Sequence, residues 1–317
     1  MNRRIFLKSL AVTGFVGAIG TIDGSPLSKL AAAAGKTGGR KGIDENLVVF
    51  ISDLHTNPDG YQPDKLRKVV SQILALRPLP ANVIALGDLA YLTGKPKEYA
   101  ALKPILQPLE DAGMTLTLAM GNHDRRETFA EVFPTHASKS LLKDRLVYKV
   151  VTPKADFIIL DSLRQGEDAS TWITDGAIDA NQAEWLKQTL AGYRDKSVFV
   201  CSHHPINETK VDKIITACPC CAGYIYGHNH RWMKTWVKNS YSSRNMVRTL
   251  CLPSTGHWGD IGFVTMRLEK TTATASLHQN EFFFPKPLAP GEKAPAEYAM
   301  IMEENKGAVC SFPLKTE

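Results

Sequence analysis

A chain of 317 residues with 44% hydrophobic and 22% charged side chains has the balance of a folded globular protein. That excludes a disordered tail, a collagen-like repeat and a disulfide-dense miniprotein, and the length allows one large domain or two. The formal net charge is +6, yet residues 1–42 carry seven basic side chains against Asp23 alone, so the rest of the chain is close to neutral. The excess is a local feature and not a footprint for nucleic acid or another acidic partner.

Residues 1–10 begin with Arg3, Arg4 and Lys8 around Ile5, Phe6 and Leu7. A weakly apolar, glycine-containing stretch over residues 10–22 follows, and then the small residues Ala31 to Ala34. The apolar run is shorter than the ~20 residues that span a bilayer. The segment resembles a twin-arginine export signal. That resemblance implies passage of an already folded protein through the twin-arginine export machinery and removal of the signal somewhere between residues 32 and 42. The expected location is periplasmic or secreted, without a stable membrane anchor. The first cysteine is Cys201, so none lies near the cleavage region to carry a lipid.

Beyond it, short apolar runs alternate with amphipathic stretches. Residues 47–51 read as a buried strand. Residues 64–76 read as a helix, because Leu66, Val69, Val70, Ile73 and Leu76 recur at helical spacing. Strands are expected at 82–86 and 115–120 with a helix at 98–112 between them. Residues 145–151 and 156–160 read as a strand pair, 181–191 as a helix, and 197–201 and 224–226 as strands. Residues 246–252, 262–268 and 272–278 read as consecutive antiparallel strands. This order predicts an α/β layered domain. The expected organisation is a signal and linker over 1–42, a catalytic domain over 43–284, and a tail over 285–317 that packs on the domain and is too short for a second one.

Polar residues collect where the apolar strands end. Asp53-Leu54-His55 follows the first strand, Gly87-Asp88 the second and Gly121-Asn122-His123-Asp124 the third. His203-His204-Pro205 and Gly227-His228-Asn229-His230 follow two later ones. In an α/β sheet, sites assemble from loops at the carboxyl ends of strands. Asp-x-His and His-x-His put alternate side chains on one side of the backbone, so each pair can chelate from one direction. Asp53, His55, Asp88, Asn122, His203, His228 and His230 supply seven oxygen and imidazole donors. Those donors suit transition metals such as Mn, Fe, Zn or Co, and seven exceed one tetrahedral site but fit two ions bridged by one carboxylate.

These five blocks, in this order, resemble the signature of the calcineurin-like metallophosphoesterases over about residues 46–280. The resemblance implies a four-layer α/β/β/α sandwich of two mixed β-sheets flanked by helices. It implies that Asp53, His55 and His230 bind one metal, that Asn122, His203 and His228 bind the other, and that Asp88 bridges. It places His123 beside the substrate phosphate, oriented by Asp124. The implied reaction is hydrolysis of a small phosphodiester or phosphomonoester by metal-activated hydroxide. Neither the protein phosphatase blocks nor the second domain of the large envelope nucleotidases is present, and the order looks most like the cyclic-nucleotide and glycerophosphodiester phosphodiesterase branch. Alternatives are a catalytically silent metal- or phosphate-binding module and a nuclease-type relative.

Other residues are more ambiguous. Tyr91 stands where purple acid phosphatases supply an iron-binding tyrosinate, but those relatives have glycine in place of His55, which favours packing or cleft lining for Tyr91. His204 and His257 are candidate pocket residues; His136 and His278 read as structural. Cys218, Cys220 and Cys221 form a disulfide, a cluster of packed thiols or a metal site, whereas Cys201 and Cys251 read as core. Trp232 and Trp236 are expected in the core or at the cleft rim.

Overall fold

The computed structural model describes residues 42–168, 171–239, 242–283 and 296–315. The expected export segment lies outside the described residues.

The amino-terminal half alternates strand and helix: β1 (Ile43–Ile51), α1 (Gln62–Ala75), β2 (Leu79–Ala85), α2 (Pro96–Asp111) and β3 (Thr115–Leu118). Two short helices, α3 (Arg126–Val132) and α4 (Pro134–Ala137), lead to the hairpin β4 (Tyr148–Val151) and β5 (Ala155–Ile159). Then come α5 (Ala180–Ala191), β6 (Ser197–Cys201), α6 (Ile206–Thr209), α7 (Asp212–Ala217) and β7 (Cys221–Tyr226). The remainder is β8 (Met233–Asn239), β9 (Ser242–Cys251), β10 (Gly259–Leu268), β11 (Thr272–Phe283), α8 (Ala296–Glu304) and β12 (Val309–Pro313).

The strands form two six-stranded mixed sheets, ordered β12-β11-β10-β1-β2-β3 and β4-β5-β6-β7-β9-β8. In the first, β1, β2 and β3 are parallel, and β10 joins β1 antiparallel. In the second, β5, β6, β7 and β9 are parallel, with β4 and β8 antiparallel at the edges. The parallel strands therefore end on one side of each sheet, where their loops collect the polar blocks.

The period of two along a strand decides which residues face which layer. On β5 and β6, Phe157, Ile159, Phe199 and Cys201 join the core between the sheets, whereas Ile158, Val198 and Val200 face the opposite way. That outer side is covered by Leu186 and Leu190 of α5 and Ile215 of α7. Leu66, Val69, Val70 and Ile73 of α1 and Tyr99, Leu102, Ile105 and Leu106 of α2 belong to the larger core cluster and cover the first sheet. The result is the expected α/β/β/α sandwich. Aromatic rings tie its middle together: Phe50 meets Phe157 at 5.6 Å, Phe157 stacks on Phe199 at 5.1 Å, and Phe199 meets Phe312 edge-on at 5.2 Å between centroids. Such pairs add about 0.5–1.5 kcal/mol each beyond the area they bury.

Three readings need correction. The run 246–252 does not continue into the antiparallel set; as β9 it lies in the second sheet, parallel to β7, and only β10 and β11 pair as expected. The strand β8 went unread because Trp236 within it, like Trp232 just before it, reads as core or cleft rim. Trp236 is half exposed at the sheet edge, with the Arg248 guanidinium 4.2 Å from its ring centroid. The carboxyl-terminal stretch holds more than a packed tail, since β12 is a strand of the first sheet, paired with β11 from Thr272 opposite Pro313 to Ser276 opposite Val309. All six cysteines are free. Cys218 and Cys220 point their thiols at the carbonyls of Leu190 and Arg194, and Cys201 and Cys251 are fully buried in strands, as expected.

Phe312 is wholly buried against Phe199 and Gly223. Truncating such a side chain costs the transfer free energy plus a cavity. Phe312→Ala is expected to lower unfolding stability by about 3–5 kcal/mol in urea denaturation, and a loss under about 1 kcal/mol would show that β12 is dispensable.

Candidate metal centre

Asp53 and His55 follow β1, Asp88 follows β2, and Asn122 to Asp124 follow β3, all from the first sheet. His203 follows β6 and His228 and His230 follow β7, both from the second. The loops interlock. The parallel ladder of β1 and β2 runs past the strand ends through Asp53 N–H to Gly87 O (3.1 Å) and His55 N–H to Asp88 O (2.8 Å). His228 N–H, from the other sheet, donates to the Asp53 carboxylate at 3.0 Å. Gly87, at φ +83°, lies where an added Cβ would sit 2.7 Å from the Gly121 nitrogen and 2.8 Å from His203 Cβ, so the approach of the loops requires glycine there.

Of the seven non-glycine residues with positive φ among those described, five are Asp53, His55, Asp88, His228 and His230. A left-handed backbone is unfavourable for such residues and persists where the surroundings impose it, characteristically at functional sites. Here it turns consecutive donors into one space.

Within that space, His230 Nε2 lies 3.2 Å from Asp53 Oδ1 and 3.2 Å from His55 Nε2. On the other side, Asn122 Oδ1 lies 3.1 Å from His203 Nε2 and 3.0 Å from His228 Nδ1. Asp88 stands between the groups, its Oδ2 3.4 Å from His55 Nε2 and 3.3 Å from His203 Nε2, while its Oδ1 accepts from His123 N–H at 2.9 Å. The structure thus brings together all seven expected donors.

Three imidazoles are oriented from behind. His55, His203 and His230 each set Nδ1 against a backbone carbonyl, of Tyr91, Leu86 and Trp258, at 3.2, 2.8 and 3.1 Å. A carbonyl only accepts, so each Nδ1 carries a proton, and in the neutral ring Nε2 turns a lone pair inward. In that tautomer the Nε2 atoms of His55 and His230 face each other with no proton between them, and His203 Nε2 faces two oxygens. Positive charge among these donors would satisfy them, and the donor set is one that could hold a metal ion.

The ionisation of these groups follows the same logic. Burial raises the Asp53 carboxyl, but His230 and His203 outweigh it and hold it at about 2. Asp88 is likewise drawn well below the usual range by His203 and His123 against its burial. Burial lowers His203, yet Asp88 and Asp53 push it up to about 9. His55, which burial dominates, lies well below the usual imidazole value, and His228 falls to about 4 through burial and the neighbouring His203.

His204 also lies among the imidazoles of the second group, but both its ring nitrogens are committed, Nδ1 to Ser162 Oγ at 2.8 Å and Nε2 to Thr174 O at 3.1 Å. It pins the loop after β5, with both ring nitrogens engaged there. His257 does line the pocket, its ring 4.4 Å from that of His55. Tyr91 turns its ring toward His257 at 5.9 Å and contributes its carbonyl to His55. His136 and His278 are structural, beside Glu110 and stacked on Phe263.

The expected partnership of His123 and Asp124 is not present. The Asp124 carboxylate accepts from the N–H groups of Leu89, Ala90 and Gly121 at 3.2, 3.0 and 2.8 Å and from the Tyr99 hydroxyl at 2.9 Å. Its acceptor sites are filled by the loops it joins, and His123 Nδ1 has no partner among the described residues. Burial and the nearby Asp88 raise the Asp124 pKa to about 7. Tyr99, a helix residue that reads as core, was missed as the fourth donor. Trp172 was missed too: its ring lies 4.7 Å from that of His123, and the apolar pair Trp172-Ile173 inside a polar loop was the available signal.

A model of the family described as calcineurin-like phosphoesterase matches residues 47–232. A probable cyclic nucleotide phosphodiesterase of Rhodococcus erythropolis is 31% identical over 168 residues, 51% of this chain and 52% of that protein. A cAMP/cGMP dual specificity phosphodiesterase of Mycobacterium tuberculosis is 27% identical over 154 residues, 48% of this chain and 45% of that protein. The chain thus spans about half the length of these curated relatives. A crystal structure of a dimetal phosphatase from Danio rerio superposes with a TM-score of 0.58 at 16% identity, covering 74% of this chain and 96% of that one, a likeness of fold.

Replacing one Asp124 oxygen by an amide sets a donor against the N–H groups it now accepts from. Asp124→Asn is expected to cost about 2 kcal/mol in urea unfolding. An unchanged midpoint would show that the carboxylate does not hold the two loops.

Proposed function

The chain belongs to the calcineurin-like phosphoesterase family, and on that footing we propose that it is an exported hydrolase of phosphoric esters, diesters foremost, working with two transition metal ions. The observation that carries this reading is the position of Asp88, whose Oδ2 is nearly equidistant from an imidazole of each group. Asp53, His55 and His230 would hold one ion and Asn122, His203 and His228 the other. When bound, such ions lower the pKa of water toward ~7 and neutralise charge on phosphoryl oxygens.

The chain's own residues supply the rest. The carbonyls behind His55, His203 and His230 fix the direction of the Nε2 lone pairs. His123, anchored through its N–H to Asp88, carries an imidazole at the mouth that meets the ester and gives a proton to the leaving oxygen. Diester preference is supported by the names of the Rhodococcus and Mycobacterium relatives. Export is supported by the amino-terminal Arg3-Arg4 block and the small residues at 31–34. Among the described residues no helix is long and apolar enough to cross a membrane.

Stripping metal with a chelator should abolish turnover of bis-p-nitrophenyl phosphate, and Mn, Fe, Zn or Co should restore it. Asp88→Ala should lower metal content from two ions per chain toward one or none by elemental analysis and reduce kcat/KM by roughly a thousandfold or more. No turnover of either the diester or p-nitrophenyl phosphate with any of the four metals would refute the hydrolase reading. For export, replacing Arg3 and Arg4 together by Lys should trap the unprocessed protein in the cytoplasmic fraction. Unaltered processing and location would remove the twin-arginine signal from the proposal.

A further inference from the structure

Two large apolar side chains stand exposed in the wall beside His123. Trp172 is 47% exposed and Leu92 41%, and both line the same cavity, next to Asn122 and Arg125. The indole rests against the His123 ring at 4.7 Å with an interplanar angle of 52°. Its remaining surface faces outward.

This indole is held in place by its loop. Below it, Arg125 donates to the carbonyls of Asp168 (2.6 Å) and Gly166 (3.4 Å), and Arg126 donates from Nη2 to Leu163 O at 2.7 Å. Arg126 itself is fixed by a two-pronged ion pair with buried Asp161, at 2.7 and 2.8 Å. Above it, His204 Nε2–H donates to Thr174 O, and Gly176 N–H donates to Glu208 at 2.7 Å. A pinned aromatic surface loses little freedom when a ligand covers it, so stacking on it is retained as affinity.

We infer that Trp172, with Leu92, is the specificity-determining wall of the cleft, selecting esters that carry a planar aromatic group close to the phosphate, a nucleobase being the natural example. The inference rests on the hydrolase reading above, because it takes the phosphoryl group to meet His123. An alkyl group such as glycerol offers no π-face to the indole and gains only contact.

The test compares metal-loaded wild type, Trp172→Ala and Trp172→Phe on cyclic AMP and on glycerophosphocholine, together with calorimetric binding of AMP. The wild type should prefer the nucleotide. In Trp172→Ala that preference, as a ratio of kcat/KM values, should fall roughly tenfold to a hundredfold, mainly through KM, and AMP binding should weaken by a similar factor. Trp172→Phe should recover most of both. A preference and an AMP affinity unchanged in Trp172→Ala would overturn the inference while turnover kept the hydrolase reading. An equal loss on both esters would overturn it too, by showing a merely structural residue. Trp172-dependent AMP binding in a protein that hydrolyses no ester would uphold the wall and reject the hydrolase reading. No AMP binding and no turnover would reject both.

Discussion

Two carboxylates, Asp53 and Asp88, are buried among imidazoles at the meeting of two sheets, and the architecture around them answers that burial. Taking a charged carboxylate from water costs several kcal/mol unless compensating charge and hydrogen bonds surround it. Asp53 is met by His230 and by a backbone N–H from the opposite sheet; Asp88 is met by His55, His203 and the N–H of His123. These contacts draw on the loops after β1, β3, β6 and β7. With the carboxylates themselves on the loops after β1 and β2, they cannot be satisfied unless β1, β2, β3, β6 and β7 all end at the same level, and the left-handed turns at five donors are what that convergence demands of the backbone.

How much of this was legible in the sequence depends on whether the signal was local. The inner strands were legible because a strand buried on both faces is a continuous β-branched run, as in residues 47–51 and 197–201. The ligand blocks were legible because Asp-x-His and His-x-His are local spacings. Two of the four edge strands were not: β8 mixes lysine with tryptophan, and β12 is five residues of alternating exposure whose pairing partner is set only by the tertiary fold. The placement of β9 failed for a related reason, since a strand carries no mark of the sheet it will join.

The site divides along the same line. Which residues gather could be read from spacing at strand ends. What holds them could not, because the holders are carbonyls of Leu86, Tyr91 and Trp258, whose side chains say nothing of the role. Asp124 shows how adjacency misleads. Its neighbour His123 looks like its natural partner, yet the carboxylate is saturated by three backbone N–H groups and the hydroxyl of Tyr99, 25 residues away. It acts as a clasp between loops, and His123 is positioned through its backbone instead.

The first sheet draws its six strands from both ends of the described chain, with Leu47 of β1 opposite Arg267 of β10. Closing so long a loop is entropically slow, and none of it can begin while the later strands are still inside the ribosome. The turn bearing Asp53 and His55 leaves the ribosome well before β10, and until β10 follows, its strand lacks its antiparallel neighbour. The ligands on the turn after β1 must therefore wait, for a finished sheet around them, until strands far downstream have been made.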